Sequence, residues 1–222
     1  MKRFFKPLMT VLAVMALSAP AMAESHEHDH GAAPAAMTGG PVVGQTAPDF
    51  TGTDANGNTV KLSDLKGKIV VLEWNNPECP FVVKHYGTKN MQKLQTAAAA
   101  KPDVVWLTVN SGAEGLQGHL TPAQAKEYVT KQEAKPAHYI LDAKGEIGKL
   151  YQAKTTPHMF VIDKEGVLAY AGAIDDNPTP RKESVETAKN YVTAAIEALE
   201  AGKKVDVATS QPYGCAVKYS TN

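Results

Sequence analysis

The chain has 222 residues, with 23 Lys+Arg against 23 Asp+Glu and 43% hydrophobic residues, enough for one core and a single domain. Three of the basic residues, Lys2, Arg3 and Lys6, lie at the very start. Without them the balance falls to about three net negative charges with no basic run, which argues against nucleic acid or an anionic membrane as partner.

In chain order, residues 1–23 read as a secretory signal peptide. The basic start is followed by an apolar run from Leu8 to Leu17 and by Ala21-Met22-Ala23, an A-x-A cleavage site, and the run is too short for a span of about 20 apolar residues. No later stretch reads as a span, and no cysteine stands directly after the cut to take a lipid. The mature protein is expected to be soluble and periplasmic, with no membrane attachment.

Residues 24–41 read as a disordered arm, His-rich and then rich in Ala, Pro and Gly. His26, His28 and His30 alternate with carboxylates, so they are candidate ligands for Zn, Cu or Ni. The other reading is a solvated tail, because nothing rigid holds the imidazoles in place.

Residues 42–201 carry the domain. Asn56-Gly57 predicts a hairpin between Thr51–Asp54 and Asn58–Lys61, and Lys68–Trp74 a central buried strand. Cys79-Pro80 opens a helix, because proline suits its first position, and Gly87-Thr88 breaks it before Lys89–Ala100. Further strands are read at Val104–Val109, Ala137–Leu141 and the hairpin Met159–Ala173. Helices are read at Thr121–Gln132, Gly145–Tyr151 and from Arg181 or Glu183 to Ala201. Strands alternating with helices predict an α/β fold, a central mixed sheet covered on both faces with an N-terminal hairpin extension. The tail, 202–222, has no clear periodicity but contains Cys215.

Only two cysteines are present, Cys79 and Cys215. In an oxidising compartment they either pair or leave one reactive thiol. Cys79 follows the buried run Ile69–Leu72 at a strand-to-helix turn, where free N–H groups and the helix dipole stabilise a thiolate. A merely buried thiol is the alternative.

These residues resemble a known family. Ala47-Pro48-Asp49-Phe50, Val70–Val82, Thr156-Pro157 and the hairpin Met159–Ala173 are similar to the redoxin branch of the thioredoxin fold. That branch includes peroxiredoxins of the alkyl hydroperoxide reductase and thiol-specific antioxidant type. The resemblance covers Val42 to Ala201. Cys79-Pro80-Phe81-Val82-Val83-Lys84-His85-Tyr86, Gly172-Ala173-Ile174-Asp175-Asp176 and the tail motif Pro212–Tyr219 narrow it to an exported peroxiredoxin-like subgroup.

The resemblance implies a thiol oxidoreductase with Cys79 as nucleophile and Pro157 as a cis proline lying against it. Glu73, six residues before Cys79, matches a buried acid that accepts the thiol's proton; an ordinary strand residue is the alternative. Two departures stand out. Val82 replaces the second cysteine of Cys-x-x-Cys, and Asn76 and Leu72 stand where peroxiredoxins carry threonine and proline. Arg181, the only arginine after the leader, lies far along the chain, so the donors that polarise a peroxide are missing.

Cys215 then becomes either a resolving thiol, brought to Cys79 by a mobile tail, or half of a permanent staple worth on the order of 4–5 kcal/mol in the chain-entropy model. Lys84 and His85 read as solvated or as touching a lid, and His158 as an exposed loop residue. No redox cofactor is implied. The expected partners are a peroxide or oxidised-thiol substrate and a thiol-reducing protein, with room for a homodimer. The alternatives are disulfide exchange without peroxidase activity, or periplasmic metal binding by the histidine arm beside a structural Cys79–Cys215 disulfide.

Overall fold

The structure, a computed structural model, describes residues 40–221. The histidines of the N-terminal arm and the leader lie outside them. Thr51–Thr53 (β1) and Thr59–Lys61 (β2) form the antiparallel hairpin expected from Asn56-Gly57, with Gly57 at φ 86°. Asp54 fastens its turn, accepting the Asn56 and Asn58 amides at 2.9 and 2.8 Å.

The main sheet contains Ile69–Trp74 (β3), Val104–Asn110 (β4), His138–Leu141 (β5), His158–Ile162 (β7) and Leu168–Gly172 (β8), in the order β5-β4-β3-β7-β8. β3, β4 and β5 are parallel, and β7 runs antiparallel to both β3 and β8. Parallel neighbours need crossovers. Pro80–Gly87 (α1) and Asn90–Ala99 (α2) link β3 to β4, Pro122–Lys131 (α3) links β4 to β5, and Glu146–Leu150 (α4) precedes the short strand Thr155–Thr156 (β6). Tyr191–Glu200 (α5) follows the β7–β8 hairpin. This is the thioredoxin-like α/β fold the resemblance implies. Among the described residues, no helix is long and apolar enough to cross a membrane.

All six residues of β3 are buried, so its two faces make two cores. Val70, Leu72 and Trp74 pack with Phe50, Ile147 and Tyr151. Ile69 and Val71 pack under the helices with Val82, Met91, Ile196 and Cys79. Strand alternation puts Glu73 on this second face. A buried aliphatic side chain of this kind contributes about 1.5–3 kcal/mol.

Two expectations are corrected. The last helix begins at Tyr191, not at Arg181 or Glu183; Lys182–Val185 is a single 3-10 turn. The backbone before Tyr191 is engaged elsewhere: Asp176 N–H donates to Lys189 O at 3.2 Å, Lys189 N–H to Asp176 Oδ1 at 2.9 Å, and Asp175 bridges Asn190. The Asn190 side chain then caps the helix by accepting Thr193 N–H at 2.9 Å. The second correction concerns the tail, which is docked and not free. Cys215–Ala216 (β9) pairs antiparallel with β6, placing Cys215 opposite Thr156. Val217 N–H donates to Lys154 O at 3.1 Å, and the Tyr219 hydroxyl to Ala153 O at 2.8 Å.

Candidate active site

Between β3 and α1 the chain turns sharply. Glu78 N–H donates to Asn76 Oδ1 at 2.9 Å and Cys79 N–H to Asn76 O at 3.0 Å. Cys79 is the N-cap of α1, with Pro80 at the first helical position and the Cys79 carbonyl accepting Val83 N–H at 2.8 Å. The cysteine side chain makes no cap bond, so its sulfur is left beside the unpaired N–H end of the helix.

That sulfur is fully buried. Its thiol donates to Thr156 O at 3.0 Å, immediately before the cis Thr156–Pro157 bond. From the tail, Cys215 N–H donates to it at 3.4 Å, and the Cys215 thiol is also a hydrogen-bond partner. Both cysteines are free thiols.

Burial works against ionising Cys79, but hydrogen bonds from Cys215, from the Thr156 side chain and from the Val82 and Cys215 amides outweigh it and lower its pKa. The Thr156 carbonyl acts the other way, since it can only accept and so favours the thiol. Cys215 is the mirror image. Burial, then its hydrogen bond to Cys79 and the charge there, push it up to about 12. The same contact thus favours the ionised form of one sulfur and the protonated form of the other.

Glu73 is fully buried on the Cys79 face. Oε1 accepts from Asn75 Nδ2 at 3.1 Å and the Tyr86 hydroxyl at 2.9 Å; Oε2 accepts from Gln95 at 3.1 Å, Trp106 Nε1 at 2.9 Å and Thr108 at 3.0 Å. Desolvation raises its pKa against the pull of these donors. Among the described residues no hydrogen bond joins Glu73 to Cys79. Val82, in the place of a second motif cysteine, is core.

Several surface expectations are overturned. His158 is buried, against Phe160 at 4.4 Å between ring centroids. Pairing with Trp74 puts it on the face opposite Cys79, and burial lowers its pKa to about 4. Lys84 and His85, read as solvated or lid-touching, are both buried; they contact the docked tail through Tyr213. Burial and then the neighbouring Lys84 lower the His85 pKa to about 3. Sequence reasoning passed over Tyr213 and Thr156 as site residues. Tyr213 stood in the tail motif beside Cys215, and an aromatic before Gly-Cys was the one available signal. Among the described residues no group of three or more His, Cys, Asp or Glu could hold a metal.

Residues 43–171, more than half of the chain, match the AhpC/TSA family. The chain belongs to the AhpC/TSA family. It is 26% identical over 135 residues to the methylamine utilization protein MauD of Methylobacillus flagellatus, covering 60% of this chain and 58% of that protein. Over 131 residues it is 28% identical to the thiol-disulfide oxidoreductase ResA of Bacillus thuringiensis subsp. konkukian, covering 56% of this chain and 65% of that one. In both cases this member of the family spans less than two thirds of the relative's length. A solved structure of a hypothetical protein from Sinorhizobium meliloti 1021 superposes with a TM-score of 0.72 at 25% identity, covering 83% of this chain and 98% of that one.

Proposed function

We propose that this AhpC/TSA member is an exported thiol-disulfide oxidoreductase in which Cys79 attacks and Cys215 resolves. One observation carries the reading: a thiol with a lowered pKa at the start of α1 has a second, protonated thiol as its hydrogen-bond partner. ResA, which is called a thiol-disulfide oxidoreductase, lends support. The leader-like residues 1–23 support a periplasmic location. We take 42–201 as the thioredoxin-like domain, with 202–222 as the segment that delivers Cys215. Pro157 walls the site, and Glu73 is its buried acid.

In the proposed reaction the Cys79 thiolate attacks one sulfur of a substrate disulfide. The S–S bond breaks, a substrate thiolate leaves and takes up a proton, and a mixed disulfide remains on Cys79. Cys215 loses its proton and attacks Cys79 Sγ, expelling the second substrate thiol and closing Cys79–Cys215. Two electrons pass to the substrate, and an external dithiol protein returns them by the reverse exchange.

The family match favours a second reading, peroxide reduction. Here the thiolate attacks an O–O bond, releasing an alcohol or water and leaving a sulfenic acid. Cys215 then expels water from it and closes the same disulfide. The donors such a step uses are poorly supplied. Asn76 Nδ2 already donates to Gln117 O at 3.5 Å, Leu72 belongs to the opposite core and has no donor, and Arg181 is exposed. Disulfide exchange is therefore the preferred chemistry.

Cys79→Ser is expected to abolish thiol-dependent turnover, and Cys215→Ser to accumulate a mixed disulfide visible by mass spectrometry. Equal turnover in both variants and the wild type would refute the assignment. Stopped-flow oxidation by hydrogen peroxide separates the two chemistries, since only a peroxidase outpaces a free thiolate.

A further inference from the structure

Two polar side chains of α1 are buried and take no part in the proposed chemistry, Lys84 at 1% and His85 at 0% exposure. A lysine is rarely buried unless its charge is paired and its N–H groups are satisfied. Lys84 Nζ reaches Asn177 O at 3.2 Å, Ser184 Oγ at 3.4 Å and the Tyr213 hydroxyl at 3.4 Å. It also lies 5.1 Å from the centroid of the Tyr213 ring. Asp175 supplies the opposite charge.

His85 converges on the same hydroxyl. The Asn90 side-chain amide donates to His85 Nδ1 at 2.9 Å, which leaves the ring proton on Nε2, 3.2 Å from Tyr213 Oη. Tyr213 in turn donates to Asp175 Oδ1, and this carboxylate is also held by the Asn177 amide at 3.0 Å. The hydroxyl therefore spends its one proton on a carboxylate and accepts from an imidazole and an ammonium. Three separate stretches of chain, α1, the loop after β8 and the tail, meet at one oxygen.

That oxygen sits two residues from the resolving thiol. Gly214, between them, has φ 134°, and a Cβ there would lie 2.1 Å from Thr156 O. The backbone is thus pressed against the strand that faces Cys79, with no slack to absorb a shift of Tyr213. At its other end the Tyr213 ring packs on Phe81, two residues past Cys79, with 5.6 Å between centroids. The same tyrosine touches the helix of one cysteine and carries the backbone of the other.

Building on the proposed thiol chemistry, we propose that Tyr213, held by Lys84, His85 and Asp175, is a positioning residue. It fixes Cys215 beside Cys79 and so sets how readily the pair closes into a disulfide. A held thiol acts at a far higher effective concentration than one on a free tail. Without its anchor the Cys215 segment samples positions away from the sulfur, and the donors that favour the Cys79 thiolate leave with it.

The test uses the full chain. Tyr213→Phe keeps the ring on Phe81 and removes only the hydroxyl; Lys84→Met removes the ammonium; Thr130→Val, the control, deletes an exposed hydroxyl on α3 bound to Lys126 O. The dithiol–disulfide equilibrium is measured in glutathione buffers by trapping and mass spectrometry. Cys79 ionisation is followed by thiolate absorbance against pH. Tyr213→Phe and Lys84→Met are expected to lower the equilibrium constant for closure by about tenfold and to move the Cys79 titration upward, while Thr130→Val matches the wild type in both. The anchor is overturned if Tyr213→Phe titrates and closes like the wild type, or if Thr130→Val does what Tyr213→Phe does. Should the wild-type pair never close, the proposed function falls on its own, and the shift of the Cys79 titration in Tyr213→Phe still decides the anchor.

Discussion

The amide of Cys215 donates to the sulfur of Cys79 at 3.4 Å, so ionisation of the first cysteine is tied to docking of the second. Cys215→Ala keeps the amide but loses the thiol donor. The Cys79 titration is expected to move up, because burial then meets less opposition. In Cys79→Ser, Cys215 is expected to titrate below about 12 yet above a free thiol, since burial remains while the neighbouring thiolate is gone. Thiolate absorbance against pH, one variant at a time, reads both shifts.

Gly214→Ala probes the same docking from the backbone. Its φ of 134° is strained for alanine, and the new Cβ would meet a carbonyl, Thr156 O, which has no free rotation to escape. The tail is expected to lift from β6 at a cost of about 1–3 kcal/mol. The signs would be a lower unfolding midpoint, faster proteolysis near Cys215 and an alkylation rate at Cys79 that rises because its cover is gone. An alanine variant with wild-type protection of Cys79 would contradict the docked tail.

His158 gives the chain an acid-sensitive element. Burial, then the charge of Lys154, lowers its pKa from 6.5 to about 4. Below the unfolded value the unfolded chain binds a proton that the folded chain refuses, so stability falls as the pH drops from 6.5 toward 4. For this residue the loss is about 2 kcal/mol near pH 5. His158→Phe retains a ring against Phe160 and removes the titration. Its stability relative to wild type, from urea unfolding, is expected to improve as the pH is lowered from about 7 to about 5.

Much of this architecture was legible because local signals agreed with global ones. Asn56-Gly57 announced the hairpin, Ile69–Leu72 the central strand, Cys79-Pro80 the start of α1 and Thr121–Gln132 the helix α3, whose first turn the structure closes with a capping box between Thr121 and Gln124. The tail was not legible, because a two-residue strand has no period and its hold comes from Tyr213, Gly214, Val217 and Tyr219 fitted to distant residues. Lys84 and His85 misled for a related reason. Charge usually means solvent, and only a partner set drawn, apart from Asn90, from residues 175–213 makes their burial tolerable. The start of α5 was overrun because its competitor, the pairing of Asp176 with Lys189, is non-local.

Asp54 and Glu73 set opposite pH limits on the same domain. Hydrogen bonds from His138, Asn58 and Asn56 overcome desolvation and lower the Asp54 pKa from 3.8 to about 2. Its contribution, up to about 2 kcal/mol, is present above 3.8 and lost as the pH falls toward 2. For Glu73 desolvation wins over the five donors and raises the pKa above 4.5. Stability from its protonated form is therefore full below 4.5 and lost as the pH climbs through the folded value. Glu73→Gln cannot titrate, so the stability of wild type relative to this variant is expected to decline from about pH 4.5 upward in urea unfolding. Glu73 shares a sheet face with Cys79, but no described hydrogen bond connects them. Glu73→Gln is accordingly expected to move the Cys79 titration less than Cys215→Ala does, and a larger shift would make the glutamate the proton acceptor of the thiol.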